Sequence, residues 1–213
     1  MRPLQAARAA VVLVLQAVAL LCFVLLVVAA QDAEAQTIPR EAHQHKAALK
    51  RNAQMIWGLN APVATFAAQI HQESRWRLDA RSPVGALGLA QFMPATADWI
   101  GGLDGELAAR EPLNPTWALR ALVSYDRWLW QRVKVADDDC QRMAFVLAAY
   151  NGGLGWVYKR QRLSSTPGRC MGAACAINPG VSPASQRENA HYPEIILQRY
   201  EPLYASWGPG ACP

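Results

Sequence analysis

Glu73 is the residue of this sequence best placed to do chemistry. Val63, Phe66 and Ile70 recur at helical spacing, and Glu73 is the next position of the same apolar stripe. Turn signals follow from Asp79 to Leu89, with Ser82-Pro83, Gly85 and Gly88, so Glu73 falls near that helix's C-terminal end. A carboxyl there is disfavoured as an anion twice over, by desolvation and by the negative end of the helix dipole. That is the environment of an acid able to donate a proton. Held charged without a basic partner, it would cost on the order of several kcal/mol. A structural role therefore needs an ion pair with Arg75 or Arg77, and that alternative stays open.

Other chemistries are poorly supplied. His71-x-Glu73 invites comparison with zinc deaminases, but those need a Pro-Cys-x-x-Cys partner, and the only close cysteine pair is Cys170-x-x-x-x-Cys175. Neither a Gly-x-Ser-x-Gly elbow nor a His-Glu-x-x-His motif is present. Gly152, Gly153 and Gly155 follow a helix rather than a strand, which argues against a phosphate cradle. His43, His45, His71 and His191 make no ligand set with the cysteines. No metal or cofactor is expected.

The elements that must position Glu73 read as helices. Pro39 can begin one through Ile56, ending at Trp57-Gly58-Leu59-Asn60, and Pro62 opens the helix that carries Glu73. A helical turn spans Leu89–Phe92, and Pro94 seeds a helix to Ile100, stopped by Gly101-Gly102. Asn114-Pro115 is an N-cap followed by an N1 proline, leading a stripe of Ala118, Leu122, Tyr125 and Leu129. Asp137–Asp139 cap a helix in which Met143, Val146 and Tyr150 share a face, closed by Asn151-Gly152-Gly153. A Gly-, Pro- and Ser-rich region covers Leu163 to Arg187. Pro193 begins a last helix to about Tyr200, ended or kinked by Pro202. With no internal repeat and no strand pattern beyond a short hairpin, the expected fold is all-α. On local sequence alone Tyr150 can be a core residue, Gln91 a turn cap and Glu188 a helix-start carboxylate.

At 213 residues and 52% hydrophobic content, the chain can bury one domain core. Arg2 and Arg8 precede an apolar run from Ala9 to Ala30 broken only by Gln16, about 33 Å long as a helix and enough to cross a bilayer. Small-residue sites at Val28-Ala29-Ala30 and Ala33-Glu34-Ala35 also suit signal cleavage, so residues 1–30 are a signal peptide or a membrane anchor. Either predicts export, to the periplasm or the periplasmic face of the inner membrane. Without residues 1–30 the chain has nineteen basic against sixteen acidic side chains, a net +3. That mild excess, with no lysine-rich run, argues against nucleic acid. Cys22 lies in the apolar run after Leu21, which is not the small residue expected before a lipidated cysteine. Cys140, Cys170, Cys175 and Cys212 fall in the exported part and permit two disulfides in three pairings, of which Cys170–Cys175 is favoured as a small loop.

Four motifs in order carry a family resemblance. Glu73-Ser74, then Gly85-Ala86-Leu87-Gly88-Leu89-Ala90-Gln91-Phe92-Met93-Pro94, then Ala149-Tyr150-Asn151-Gly152, then Glu188 with Tyr192, resemble the lytic transglycosylase (SLT-type) family. The resemblance covers roughly residues 55 to 200. It implies a lysozyme-like α-helical fold, cleavage of the glycan strands of peptidoglycan, and no cofactor. It places the catalytic domain at 55–205; the signal or anchor at 1–30, a linker and lead-in helix at 31–54 and a tail at 206–213 lie outside what it explains. By position, Glu73 matches the family's acid/base, and Tyr150 the tyrosine directed at that carboxyl. Ser82, Gln91, Met93, Asn151, Glu188 and Tyr192 match residues around the sugar cleft. Two departures stand out. Ala90 replaces a commoner Met, and a cysteine-bearing insertion widens the spacing from Asn151 to Glu188. The implied product is a 1,6-anhydro-muramyl end, formed by a monomer that remodels a bacterial wall or serves phage lysis. The alternatives are a water-using hydrolase like goose-type lysozyme and a membrane-tethered module that binds wall without cutting it.

Overall fold

The computed structural model describes residues 37–212. The apolar run at 1–30 and Cys22 therefore lie outside the described residues. The described part is helical, and its only strand-like features are isolated bridges pairing Arg81 with Leu87 and Leu87 with Phe92. That is what the expected hairpin amounts to. Among the described residues no helix is long and apolar enough to cross a membrane.

Helix α1 (Ala42–Trp57) buries Ala42, Leu49 and Ala53 on one face and stops at Gly58, whose φ of 92° suits glycine. Its last residue is anchored: Trp57 Nε1 donates to the Val123 carbonyl at 3.0 Å. Helix α2 (Val63–Ser74) is the centre of the molecule. Every residue from Val63 to His71 is buried, including Thr65 and Gln69, so the apolar stripe read from sequence is only part of its covered surface. Truncating fully buried Phe66 to Ala would cost about 3–5 kcal/mol.

Helix α3 (Pro94–Ile100) and helix α4 (Pro115–Arg132) start where their prolines direct, and the Asn114 side chain caps α4 by accepting from the Thr116 amide at 3.0 Å. Asp138 is the residue of the acidic triplet that caps α5 (Asp139–Gly152), accepting from the Gln141 amide at 2.7 Å. Gly153, at φ 97°, ends α5 and leads into α6 (Leu154–Leu163).

The region from Leu163 to Arg187 is less irregular than its composition suggests. Ser182 caps and Pro183 opens α7 (Pro183–Glu194), which carries both Glu188 and Tyr192. Pro193 does not begin a helix. It sits inside α7, and its missing N–H breaks the ordinary ladder, so the chain continues as a π-helical segment over Ile195–Tyr200 and a 3-10 segment over Glu201–Trp207.

Both disulfides form, Cys170–Cys175 and Cys140–Cys212. The second holds down a strap. Residues 208–212 lie against the start of α2, where the Ala64 amide donates to the Pro209 carbonyl at 3.0 Å. Buried Glu201 accepts from the Thr65 hydroxyl and from the Ala211 and Cys212 amides. Part of the expected tail is thus stitched to the central helix.

Candidate active site

Glu73 is the second-last residue of α2. Arg75 and Trp76 follow with positive φ, 51° and 64°, so the chain reverses at once and leaves the carboxyl facing a cleft. Trp76 pays for that reversal by plunging into the core, where its indole donates to Tyr204 Oη at 2.7 Å. His71 shares the same hydroxyl at 2.9 Å and stacks on Tyr200, and burial drives its pKa down to about 4. It is a packed, neutral histidine. Among the described residues no group of three or more His, Cys, Asp or Glu could hold a metal ion.

A loop forms the opposite wall. Ser82 Oγ accepts from the Ala86 amide at 2.9 Å, pinning the turn. Gly88 has φ 72°, and a Cβ there would lie 2.0 Å from the Pro112 carbonyl oxygen, so only glycine fits. Gln91, at φ 46°, donates its amide to the carbonyls of Gly88 (2.8 Å) and Ala80 (3.3 Å). It braces the loop while lining the cleft. Met93 caps α3 in extended conformation with its side chain exposed.

The cleft of about 380 Å³ is lined by all eight residues singled out in the sequence: Glu73, Ser82, Gln91, Met93, Tyr150, Asn151, Glu188 and Tyr192. The hydrogen bonding differs from expectation at one point. The tyrosine bonded to Glu73 is Tyr192, whose hydroxyl donates to Oε1. Tyr150 instead donates to the Ala90 carbonyl at 2.7 Å, tying α5 to the loop wall. The exchange is tertiary: Tyr192 reaches the carboxyl near the end of α2 from α7, whereas Tyr150 meets a loop carbonyl that needs a donor. Asn151 donates to Glu188 Oε1 at 3.1 Å and accepts from Asn189 Nδ2 at 3.0 Å. Gly152 lets α7 come this close, since a Cβ there would sit 2.4 Å from Asn189 Nδ2.

Neither Arg75 nor Arg77 pairs with Glu73; both are exposed, and Arg77 Nε donates to the Ser74 carbonyl. Burial therefore dominates and pushes the Glu73 pKa up to about 8. The Tyr192 hydroxyl opposes the rise, and the Glu188 carboxylate adds to it. An acid with that pKa keeps its proton at neutral pH and can become a base once it has given the proton up.

One pair escaped sequence reasoning. Asp126 of α4 is fully buried and receives a long bond from Gln69 Nε2 at 3.5 Å. Its Oδ2 and Gln69 Oε1 have no partner. A protonated Asp126 would supply the one donor that both oxygens lack, and burial does drive its pKa well upward. Its place between Leu122 and Leu129 on the apolar stripe is the same cue that marks Glu73, but nothing local points to Gln69 as its partner. Tyr125, its neighbour, lines the cleft and had been visible only as an apolar position.

The Transglycosylase SLT domain family matches residues 51–169, more than half of the chain. The chain belongs to that family. Two membrane-bound lytic murein transglycosylases F are similar to this SLT domain. The one from Shewanella halifaxensis is 35% identical over 103 residues, 48% of this chain and 20% of that protein. The one from Pasteurella multocida is 30% identical over 119 residues, 56% of this chain and 22% of that protein. The chain thus spans about a fifth of the length of the curated relatives it matches. The 70 kDa soluble lytic transglycosylase SLT70 of Escherichia coli superposes with a TM-score of 0.52 at 22% identity, over 76% of this chain and 25% of that one. That likeness establishes the SLT fold, lysozyme-like and all-α.

Proposed function

We propose that this protein is a peptidoglycan lytic transglycosylase in which Glu73 acts first as acid and then as base. The observation that carries the proposal is Glu73 itself, an unpaired carboxyl with a pKa near 8 at the wall of an open cleft. Protonated Glu73 gives its proton to the glycosidic oxygen between N-acetylmuramic acid and N-acetylglucosamine, and the C1–O4 bond breaks. The substrate's N-acetyl group stabilises the cationic C1. The Glu73 carboxylate then takes the proton from the muramyl 6-hydroxyl as O6 bonds to C1, closing a 1,6-anhydro ring. The proton count balances, and no water is consumed. Tyr192 holds the carboxyl in place, and Tyr150 and Gln91 hold the loop that faces it.

A second reading uses water. Glu188 is the other carboxylate lining the cleft, and two carboxylates across a glycosidic bond suit a hydrolase. Its bond to Asn151 favours a supporting place over that of a base. Mass spectrometry of digested wall separates the two, because anhydro ends are lighter by one water. Hydrated ends throughout would overturn the transglycosylase reading. A Glu73→Gln protein that still cleared wall would overturn both, and binding without clearance by the native protein would leave a wall-binding module. The reading places the protein outside the cytoplasm, as residues 1–30 suggest, acting as a monomer on glycan strands, with a membrane contact if that segment is retained. It serves either wall remodelling or phage lysis.

A further inference from the structure

Beyond the hydrogen bond between Asn151 and Glu188, a second cavity of about 280 Å³ opens. Both residues line it as well as the catalytic cleft, so the two spaces are neighbours across that bond. Its far side is built by the cysteine-bearing insertion and α6, the part of the chain that widened the motif spacing.

Two residues of this wall are incompletely satisfied. Arg160 is 1% exposed; its Nε donates to the Ile177 carbonyl at 3.1 Å and its Nη2 to Gln186 Oε1 at 2.8 Å, while Nη1 has no partner. Both acceptors are neutral, so a buried cation lacks a counterion, an expensive arrangement unless something else compensates it. Asn189, 3% exposed, spends its Nδ2 on the Ala148 and Asn151 oxygens, and its Oδ1 has no partner. Arg160 and Asn189, each with one polar atom left unbonded, thus line one cavity. At its rim Trp156 is 38% exposed, with Lys159 Nζ 5.3 Å from the ring. The Glu188 carboxylate lies on the divide, where it is engaged by Asn151.

We propose that this second cavity binds the peptide branch of the wall strand whose sugars occupy the catalytic cleft, with a peptide carboxylate meeting the Arg160 charge and the chain lying on Trp156. The proposal rests on the transglycosylase reading for its substrate. Wall peptides carry free carboxylates and amides, which match the uncompensated cation and the orphaned acceptor. They also hang from the muramyl sugar, so strand and branch can fill adjoining spaces.

The test compares strands that bear peptides with strands stripped by an amidase, which retain only the lactyl carboxylate. The native protein should show a KM lower by roughly tenfold or more on peptide-bearing strands, the worth of one charge-assisted hydrogen bond. Trp156→Ala, at an exposed position, and Arg160→Gln should erase that preference and leave turnover of stripped strands unchanged. Equal KM values for the native protein, or an equal loss on both strand types in Trp156→Ala, would overturn the proposal. A readout independent of cleavage is the Trp156 indole NMR resonance during titration with free wall tripeptide. A saturable shift supports the cavity, and an unmoved resonance sinks it. A native protein that cuts neither strand would refute the enzyme reading, while the titration still decides the cavity.

Discussion

Replacing Glu73 with Gln should make the protein more stable at neutral pH while abolishing its activity. The folded-state pKa of about 8 stands above the ordinary 4.5, so the folded protein holds this proton more tightly than the unfolded chain. That preference contributes full stability below about pH 4.5, and the contribution is lost as pH rises towards 8. At pH 7 the accumulated loss is about 3 kcal/mol as an upper bound, at about 1.4 kcal/mol per pH unit. Water in the cleft screens part of it, which leaves roughly 1–3 kcal/mol. Gln keeps the shape and can still accept from Tyr192, but never ionises. Thermal unfolding at pH 7 should therefore rise by roughly 2–10 °C for a domain of this size. At pH 4 both proteins carry a neutral side chain, and the difference should vanish. An unchanged or lowered midpoint at pH 7, or a gain independent of pH, would refute the claim that Glu73 is a half-buried acid without a cationic partner.

Activity of the native protein should fall as pH rises past about 8, where Glu73 loses its proton; in Glu188→Gln that alkaline limb should move to lower pH, because a carboxylate that raises the Glu73 pKa is gone. A pH profile of kcat/KM reads both. Tyr192→Phe should reduce kcat by roughly tenfold or more, the worth of a bond to a charged group, and raise the alkaline limb. Tyr150→Phe, which frees the Ala90 carbonyl, should act more on KM. Breaking Cys140–Cys212, which spans 72 residues, should cost about 4 kcal/mol on a chain-entropy argument, against about 2 for Cys170–Cys175, which spans five. Urea unfolding of the paired Cys→Ser variants ranks them.

How much of this was legible depends on how local each signal is. Caps and prolines act within one turn, so Asn114-Pro115, Asp138 and Pro94 mark their helices in the sequence itself. Helix α7 was obscured because its buried positions include Gln186 and Asn189 rather than an apolar stripe, although Ser182-Pro183 is an N-cap signature. The cleft residues could be gathered from motif order. Which tyrosine reaches Glu73 could not, because Tyr150 and Tyr192 are both half-apolar residues on helices and only the tertiary placement of their hydroxyls decides between them. Gln69 and Asp126 pair across helices, and nothing in either local sequence anticipates the other.

The strap at residues 208–212 has a mechanical consequence. Through Ala64 and Thr65 it grips α2 at its first turn, and through Cys140 it grips α5 at its first turn. Glu73 and Tyr150 sit at the opposite ends of those helices. The arrangement is a pair of tongs riveted at the handles, with arms of roughly 18 and 21 Å from helix length at 1.5 Å per residue. On arms that long, a rotation of about 3° at the rivet displaces the jaws by about 1 Å, a misplacement that can cost on the order of a hundredfold in rate. Substitutions at the strap can therefore shift the cleft walls without touching a residue that meets the sugar.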